Sequence, residues 1–352
     1  MEFMQGREVD RPTRLTRGLG AIAAAALLAI VLPSAAVGAE PSVLKAKVYG
    51  SKGKSVKIMG RATVAGSLSP WRPDQRVRLF VFRNGRQVST RSLAITRGTG
   101  DWGTFRTKVP VRVGGRYAAQ VRYYGRSGAD PLLPAATDRM RWGIRYPNLR
   151  PGQCGPVVEG FRKALNRMAF VPGKSRCFNG RVERAVLAYR KLNGLGRSAR
   201  AGKRIVKRVF SLKGRYRVRR PDLGDHVEAP LSRQVMVFAR GKKPYAIFPI
   251  ASGAPATPTI LGVYTFYRKD PGYNAIGMYY SSYFIRGYAI HGYKSVPNYP
   301  ASHGCLRTFI ADQPRIYELT RIGMPIYTFG NAFAPFKLAP DLPDPAAFDR
   351  PE

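Results

Sequence analysis

Apolar and polar positions alternate at two periods along this chain, and the change of period divides it. From residue 41 to 125, V-L-K-A-K-V-Y, S-V-K-I-M-G-R-A-T-V, R-V-R-L-F-V-F and Y-A-A-Q-V-R-Y-Y alternate or run apolar between Gly, Asn and Pro. A period of two marks strands with one face in a core. Asn84-Gly85, set between two such runs, predicts a tight hairpin. Short strands at this spacing predict an antiparallel sandwich of immunoglobulin-like type over 41–125, with Trp71 and Trp102 as core or edge packing. Residues 126–147 read as a connector.

Over 148–212 the period becomes helical. Val157, Val158, Phe161, Leu165 and Met168 share one face, Val182, Ala185, Val186, Tyr189 and Leu192 a second, and Ile205, Val206 and Val209 a third. Three short apolar faces joined by glycine-containing loops predict a small three-helix bundle. A basic linker is expected over 213–230, with His226 incidental to it. Strands return from Leu231: R-Q-V-M-V-F-A and P-Y-A-I-F-P-I-A flank a hairpin at R-G-K-K, and Y-A-I-H-G follows later. Asp312 is positioned to cap a helix through Arg321, P-I-Y-T-F-G closes the domain near 330, and a Pro/Ala-rich tail fills 331–352. The pattern predicts a multidomain α+β chain with a β-rich unit at 231–330.

Composition changes this picture in one respect. The 352 residues suit about two or three domains, but 60 Lys+Arg against 20 Asp+Glu give a net charge of +40. Such a field gathers a chain onto polyanions: nucleic acid, anionic lipid or acidic surface polymers. The N-terminus narrows these. Arg11, Arg14 and Arg17 precede the apolar run Ala21 to Leu32, and P-S-A-A-V-G-A-E follows, with Ala39 or Ala36 as the cleavage position. That order reads as a secretory signal over 1–39. The run is shorter than the ~20 residues a membrane span needs, though an uncleaved signal would act as an anchor. An exported chain meets no chromosome, so the charge is expected to address an anionic envelope rather than nucleic acid. Fourteen basic residues and no acidic one between Arg184 and Arg220 fit either a solvated face or adhesion to wall polymer. Three cysteines in an exported chain suggest one bridge and one thiol. Cys154 and Cys177 lie close in sequence and would staple the helical unit, the alternative being two buried unpaired thiols.

The remaining cysteine stands in H-G-Y-K-S-V-P-N-Y-P-A-S-H-G-C-L-R, His291 to Arg307, with two of the three histidines. A thiol attacks only as thiolate, and at a pKa near ~8.5 it needs a base. His303, two residues from Cys305, and His291, from the preceding strand, both qualify on spacing. Gly304 gives backbone amides room to face a developing oxyanion. Arg307 could bind a substrate carboxylate or pin the loop. A zinc site from His291, His303 and Cys305 lacks an obvious fourth ligand, and Ser302 has no carboxylate nearby to complete a serine triad. No metal and no organic cofactor are expected.

Two resemblances sharpen this. L-R-P-G-Q-C-G-P-V-V-E-G-F-R-K-A-L-N with F-N-G-R-V-E-R-A-V-L-A-Y-R-K-L-N-G-L resembles the three-helix peptidoglycan-binding repeat, with Val182 where a threonine is usual. S-G-x-P-x-T-P-T-x-x-G-x-Y-T-F, then H-G and S-H-G-C-L-R, resembles the YkuD-type L,D-transpeptidase catalytic domain. That resemblance implies a β-rich fold and Cys305 as the acylated nucleophile. It implies His291 as the base, its other nitrogen held by a backbone carbonyl close after it, with His303, Gly304 and Cys305 on the oxyanion side. Arg307 and Ser302 would contact substrate or support the loop, and Tyr279, Tyr280 and Tyr283 would form a lid. Tyr293 departs from the usual threonine or serine after H-G. The implied partners are peptidoglycan stem peptides, donor and acceptor. The implied reaction is 3→3 cross-linking at the cell wall. Carboxypeptidase action, protein anchoring, or wall binding without catalysis are the alternatives.

Overall fold

The computed structural model describes residues 39–50, 53–126 and 131–336; the signal-like segment before Ala39 lies outside them. The N-terminal part contains β1 (Val43–Tyr49), β2 (Ser55–Lys57), β3 (Arg61–Ser69), β4 (Arg76–Arg83), β5 (Arg86–Ala94), β6 (Thr96–Arg97), β7 (Gly103–Pro110), β8 (Tyr117–Tyr123), β9 (Ala135–Ala136) and β10 (Met140–Arg145). One sheet runs β1-β3-β7-β6; the other runs β2-β10-β8-β4-β5, with β9 beside β8. Alternation decides which side chains lie inside: Val64 and Leu68 from β3, Val77, Leu79 and Val81 from β4, and Val121 from β8 are buried. Asn84 and Gly85 take φ of 52° and 85°, forming a two-residue turn between β4 and β5. The stretch expected as a connector carries β10, which pairs with β8 and β2 and buries Trp142 against Tyr117. Its own apolar alternation, Met140, Trp142 and Ile144, explains that placement.

Three helices follow: α1 (Pro156–Asn166), α2 (Gly180–Leu192) and α3 (Lys203–Phe210). Gly155, at φ 110°, turns the chain into α1, whose first residue is a proline. The Asn179 side chain accepts the Val182 N–H at 3.3 Å and caps α2. Cys154 and Cys177, in the loops leading to α1 and α2, are disulfide-bonded across a sequence separation of 23. The buried faces of the helices join one apolar core that runs from the N-terminal sheets to Val235, Val237 and Ile247. At about 1.5–3 kcal/mol per fully buried large apolar side chain, this shared core ties the helices to both neighbours.

The C-terminal part has β11 (Asp225–Pro230), β12 (Val235–Arg240), β13 (Lys243–Pro249), β14 (Gly262–Thr265), β15 (Arg268–Tyr273), β16 (Tyr279–Ile285), β17 (Tyr288–Gly292), β18 (Leu306–Thr308), α4 (Gln313–Leu319) and β19 (Pro325–Phe329). Its sheets run β13-β12-β11-β19-β14 and β15-β16-β17-β18. A buried cluster with Phe238, Phe248, Phe266, Phe284, Ile290 and Leu306 lies between them.

Three boundaries differ from the expected ones. β11 lies in the expected linker yet is the central strand of its sheet. D-H-V-E reads as polar, but Glu228 is buried because the Arg219 and Arg220 amides, Tyr216 Oη and His226 Nε2 all bond its carboxylate. Asp312 makes no side-chain cap to α4, which ends at Leu319. Its carboxylate instead takes a bidentate bond from Arg184 of α2, at 2.8 and 3.0 Å. The first tail residues pack rather than trail: Ala332 is buried, and the Phe336 ring lies under the Arg197 guanidinium at 3.5 Å.

Polar contacts supplement the apolar seam between α2 and the C-terminal sheets. Beside the Arg184–Asp312 pair, Lys191 Nζ donates to the Ile250 carbonyl at 2.9 Å, and Arg197 donates to the Asn298 carbonyl. Burial, with Arg197 nearby, pushes the Lys191 amine well below its ordinary range.

Candidate active site

β17 and β18 run parallel, with His291 opposite Arg307 and Ile290 opposite Leu306. Side chains alternate along a strand, so Cys305, two residues before Arg307, falls on the His291 face. The Ala289 N–H points at Cys305 Sγ from 3.4 Å, and Sγ lies 3.8 Å from the Gly287 carbonyl. β17 and the residue just before it therefore supply both the imidazole and the backbone that cradles the sulfur.

His291 is 3 % exposed, and its Nδ1 sits 2.9 Å from the Gly292 carbonyl. A carbonyl only accepts, so Nδ1 carries the proton and Nε2 holds the lone pair of the neutral ring. Burial, reinforced by the Arg307 charge and opposed by the Gly292 bond, lowers the His291 pKa to about 4. Burial also raises the Cys305 thiol above its ordinary value, against the Ala289 N–H and Arg307, which act the other way. At neutral pH the site therefore rests as a thiol beside a neutral imidazole, not as a preformed ion pair.

Internal bonds hold the loop before Cys305. Ser302 Oγ accepts the Gly304 N–H at 3.1 Å and donates to the Cys305 carbonyl at 2.6 Å. Ser302 is 1 % exposed, so it braces the turn and is not available to substrate as expected. Gly304 has φ 107°, and a Cβ there would stand 2.0 Å from the Tyr288 ring, so only glycine fits. Because its amide is already bonded to Ser302, Gly304 shapes the turn rather than offering that N–H to an oxyanion. His303 is exposed, whereas the His291 ring is buried.

A second segment clamps this turn from outside. Thr257 Oγ1 donates to the Ser302 carbonyl at 3.0 Å, Thr259 Oγ1 to the Gly304 carbonyl at 2.8 Å, and the Ala254 N–H to Ser302 at 2.8 Å. Gln234 bonds Ser252 through both ends of its amide, and the Ser252 carbonyl accepts the Ala301 and Ser302 amides. On the other side, the Thr308 hydroxyl lies within hydrogen-bond reach of both the His291 carbonyl, at 3.1 Å, and the Gln313 side-chain oxygen, and the Gln313 amide donates to the Tyr280 carbonyl. Sequence reading gave Gln234, Thr257, Thr259, Thr308 and Gln313 no role. Hydroxyls flanked by prolines in P-A-T-P-T were the one available signal.

The three tyrosines part company. All lie on β16, within the β15-β16-β17-β18 sheet. Tyr283 is 6 % exposed and packs with Met278 and Ala289 against Cys305. Tyr279 pairs with Gly292, and Tyr280, at φ 50°, forms the bulge that turns its carbonyl to Gln313. Arg307 lies over the Tyr293 ring at 4.1 Å, and its backbone pairs with Ala251.

Residues 224–328 match the YkuD family, the L,D-transpeptidase catalytic domain. The YkuD match begins at the strand expected as linker and ends within β19. No curated protein matches the chain at a significant level. Among solved structures, an L,D-transpeptidase fragment from Xylanimonas cellulosilytica is 25% identical over 53% of this chain and 98% of its own, with a TM-score of 0.48. An L,D-transpeptidase from Stackebrandtia nassauensis is 18% identical over 54% and 99%, TM-score 0.34. The catalytic domain of an Enterococcus faecium L,D-transpeptidase acylated by ertapenem is 25% identical over 30% and 98%, TM-score 0.26.

Proposed function

We propose that the YkuD domain of this chain is a cysteine-dependent L,D-transpeptidase acting on peptidoglycan stem peptides in the cell wall. The observation that carries this reading is the buried, neutral His291, its Nδ1–H fixed on Gly292, on the strand that cradles Cys305 Sγ. Cys305 attacks the carbonyl of the diamino acid at stem position three while His291 Nε2 takes the thiol proton. Backbone amides at His303 and Cys305 face the oxyanion. Collapse expels the terminal D-alanine, whose amine receives the proton from His291, and leaves a thioester on Cys305. The side-chain amine of another stem's third residue then attacks the thioester, passing its proton to His291, and the thiol is restored with a 3→3 cross-link. No metal or organic cofactor enters these steps. Water in place of the amine would give a carboxypeptidase.

Export through the segment 1–39 brings the chain to this substrate. We read the N-terminal sheets as an immunoglobulin-like sandwich and 148–212 as a peptidoglycan-binding repeat that presents the catalytic domain to the wall. Mass analysis of muropeptides incubated with the full chain tests the function: tetrapeptide donors should disappear into 3→3 dimers. Tripeptides alone would indicate hydrolysis, and unchanged muropeptides would refute the reading.

A further inference from the structure

Beyond catalysis, the geometry points to the outer face of the β10-β8-β4-β5 sheet as a binding surface for a linear phosphodiester polymer. The inner face of that sheet is apolar; the outer face presents Arg76 and Arg78 of β4, Arg122 of β8, Arg141 of β10 and Arg139 just before it, all exposed. None of these four strands carries an Asp or Glu. The arginines are not loose in solvent. Arg122 lies over the Phe80 ring at 5.3 Å, Arg139 over Phe82 at 4.3 Å, and Arg78 over Tyr124 at 5.0 Å. Arg122 is also bonded to Gln120, and Arg76 to Ser92.

Two features separate this surface from an ordinary solvated face. Arg78 and Arg122 stand directly opposite each other in the β4–β8 register. Like charges across a ladder are destabilising, and nothing acidic on these strands offsets them. A bound anion would. Second, a guanidinium held over an aromatic ring has less rotamer freedom left to lose on meeting a phosphate. Along a strand the groups repeat every ~6–7 Å and across strands every ~5 Å, which suits a chain of charges rather than one ion.

The stacking also selects among polyanions. A protein that reads single-stranded nucleic acid leaves aromatic faces open for bases. Here guanidiniums already lie over Phe80, Phe82 and Tyr124, so the surface offers charge without a base platform. A non-nucleic phosphodiester chain is the matching partner. Its placement at the wall rests on the proposed function, so acylation is read on the same samples as binding, and either can fail without the other.

The experiment measures binding of the full chain to immobilised poly(glycerol phosphate), duplex DNA and polyglutamate over a salt series. Wild type should prefer poly(glycerol phosphate), with affinity falling as salt rises. Arg78→Gln/Arg122→Gln/Arg139→Gln should weaken it on the order of tenfold or more and flatten the salt slope. Arg215→Gln/Arg217→Gln/Arg219→Gln removes equal charge from another exposed stretch and should weaken it by about threefold or less. Lysines at 78, 122 and 139, which keep charge and lose the guanidinium fork, should fall between wild type and the glutamine variant. Carbapenem acylation should stay unchanged throughout, and thermal unfolding should stay cooperative and within about 5 °C of wild type. Equal losses in the two glutamine variants, full binding by the lysine variant, or preference for DNA or polyglutamate would each overturn the proposal.

Discussion

Arg184 and Arg78 carry the same guanidinium into opposite surroundings. Arg184 is 2 % exposed, locked bidentate on Asp312, and joins α2 to the catalytic domain. Arg78 is exposed, lies over Tyr124, and faces another arginine across the ladder. A net charge of +40 therefore describes two populations: cations consumed by internal acceptors at the seam, and cations held outward on the sheet. Composition sees only their sum. The seam population fixes how the helical unit meets the catalytic sheets, and the outer one is available to a partner.

The largest expected effect lies at the seam. Arg184→Ala should destabilise the chain by about 3–5 kcal/mol, because it removes the bidentate guanidinium that compensates the buried Asp312 carboxylate. Urea unfolding checks this, and Arg184→Met/Asp312→Leu should recover most of the loss. Recovery that fails would mean the ion pair specifies the docking rather than merely satisfying two buried charges.

Lys191 offers a finer cut. Its folded pKa lies below its unfolded one, so between those values the unfolded chain binds more protons. Stability should therefore rise as pH climbs toward the unfolded pKa near ~10.4. Replacing Lys191 by Met should flatten that rise in urea midpoints measured across the alkaline range. On the outer face the contrast reverses: Arg78→Gln or Arg122→Gln should shift stability by about 0.5 kcal/mol or less.

Cys305 and His291 follow the seam's logic, with burial setting protonation. His291 should become protonated only near pH 4, so the acid limb of the acylation rate should lie near there rather than near 6.5. A limb near 6.5 would mean that the ring is more solvated than its burial indicates.

How much of this was legible follows from what each feature depends on. The strands of the N-terminal sheets, the Asn84-Gly85 turn and the helical faces rest on local periodicity, and sequence shows periodicity directly. β10 was missed although Met140, Trp142 and Ile144 alternate, because Pro131 and Pro134 before it and Pro147 after it make the stretch read as a connector. β11 was missed because a buried Glu228 looks like a linker residue until its donors, one from twelve residues upstream, are seen. The cap expected of Asp312 failed because its partner is 128 residues away. The Cys–His stretch was legible by its spelling, and residue chemistry alone could not choose between His291 and His303. Their surroundings differ: one ring is buried and fixed on Gly292, the other exposed. The hydroxyl clamps from Thr257, Thr259 and Thr308 carry no periodicity, so only the fold reveals them.

The central claim is that Cys305 is acylated with His291 as its base. Intact-mass measurement after exposure to a carbapenem tests it most directly. Wild type should gain one adduct mass, Cys305→Ala none, and His291→Ala should acylate far more slowly than His303→Ala. An adduct that survives loss of Cys305, or the opposite order of the two histidines, would contradict the account.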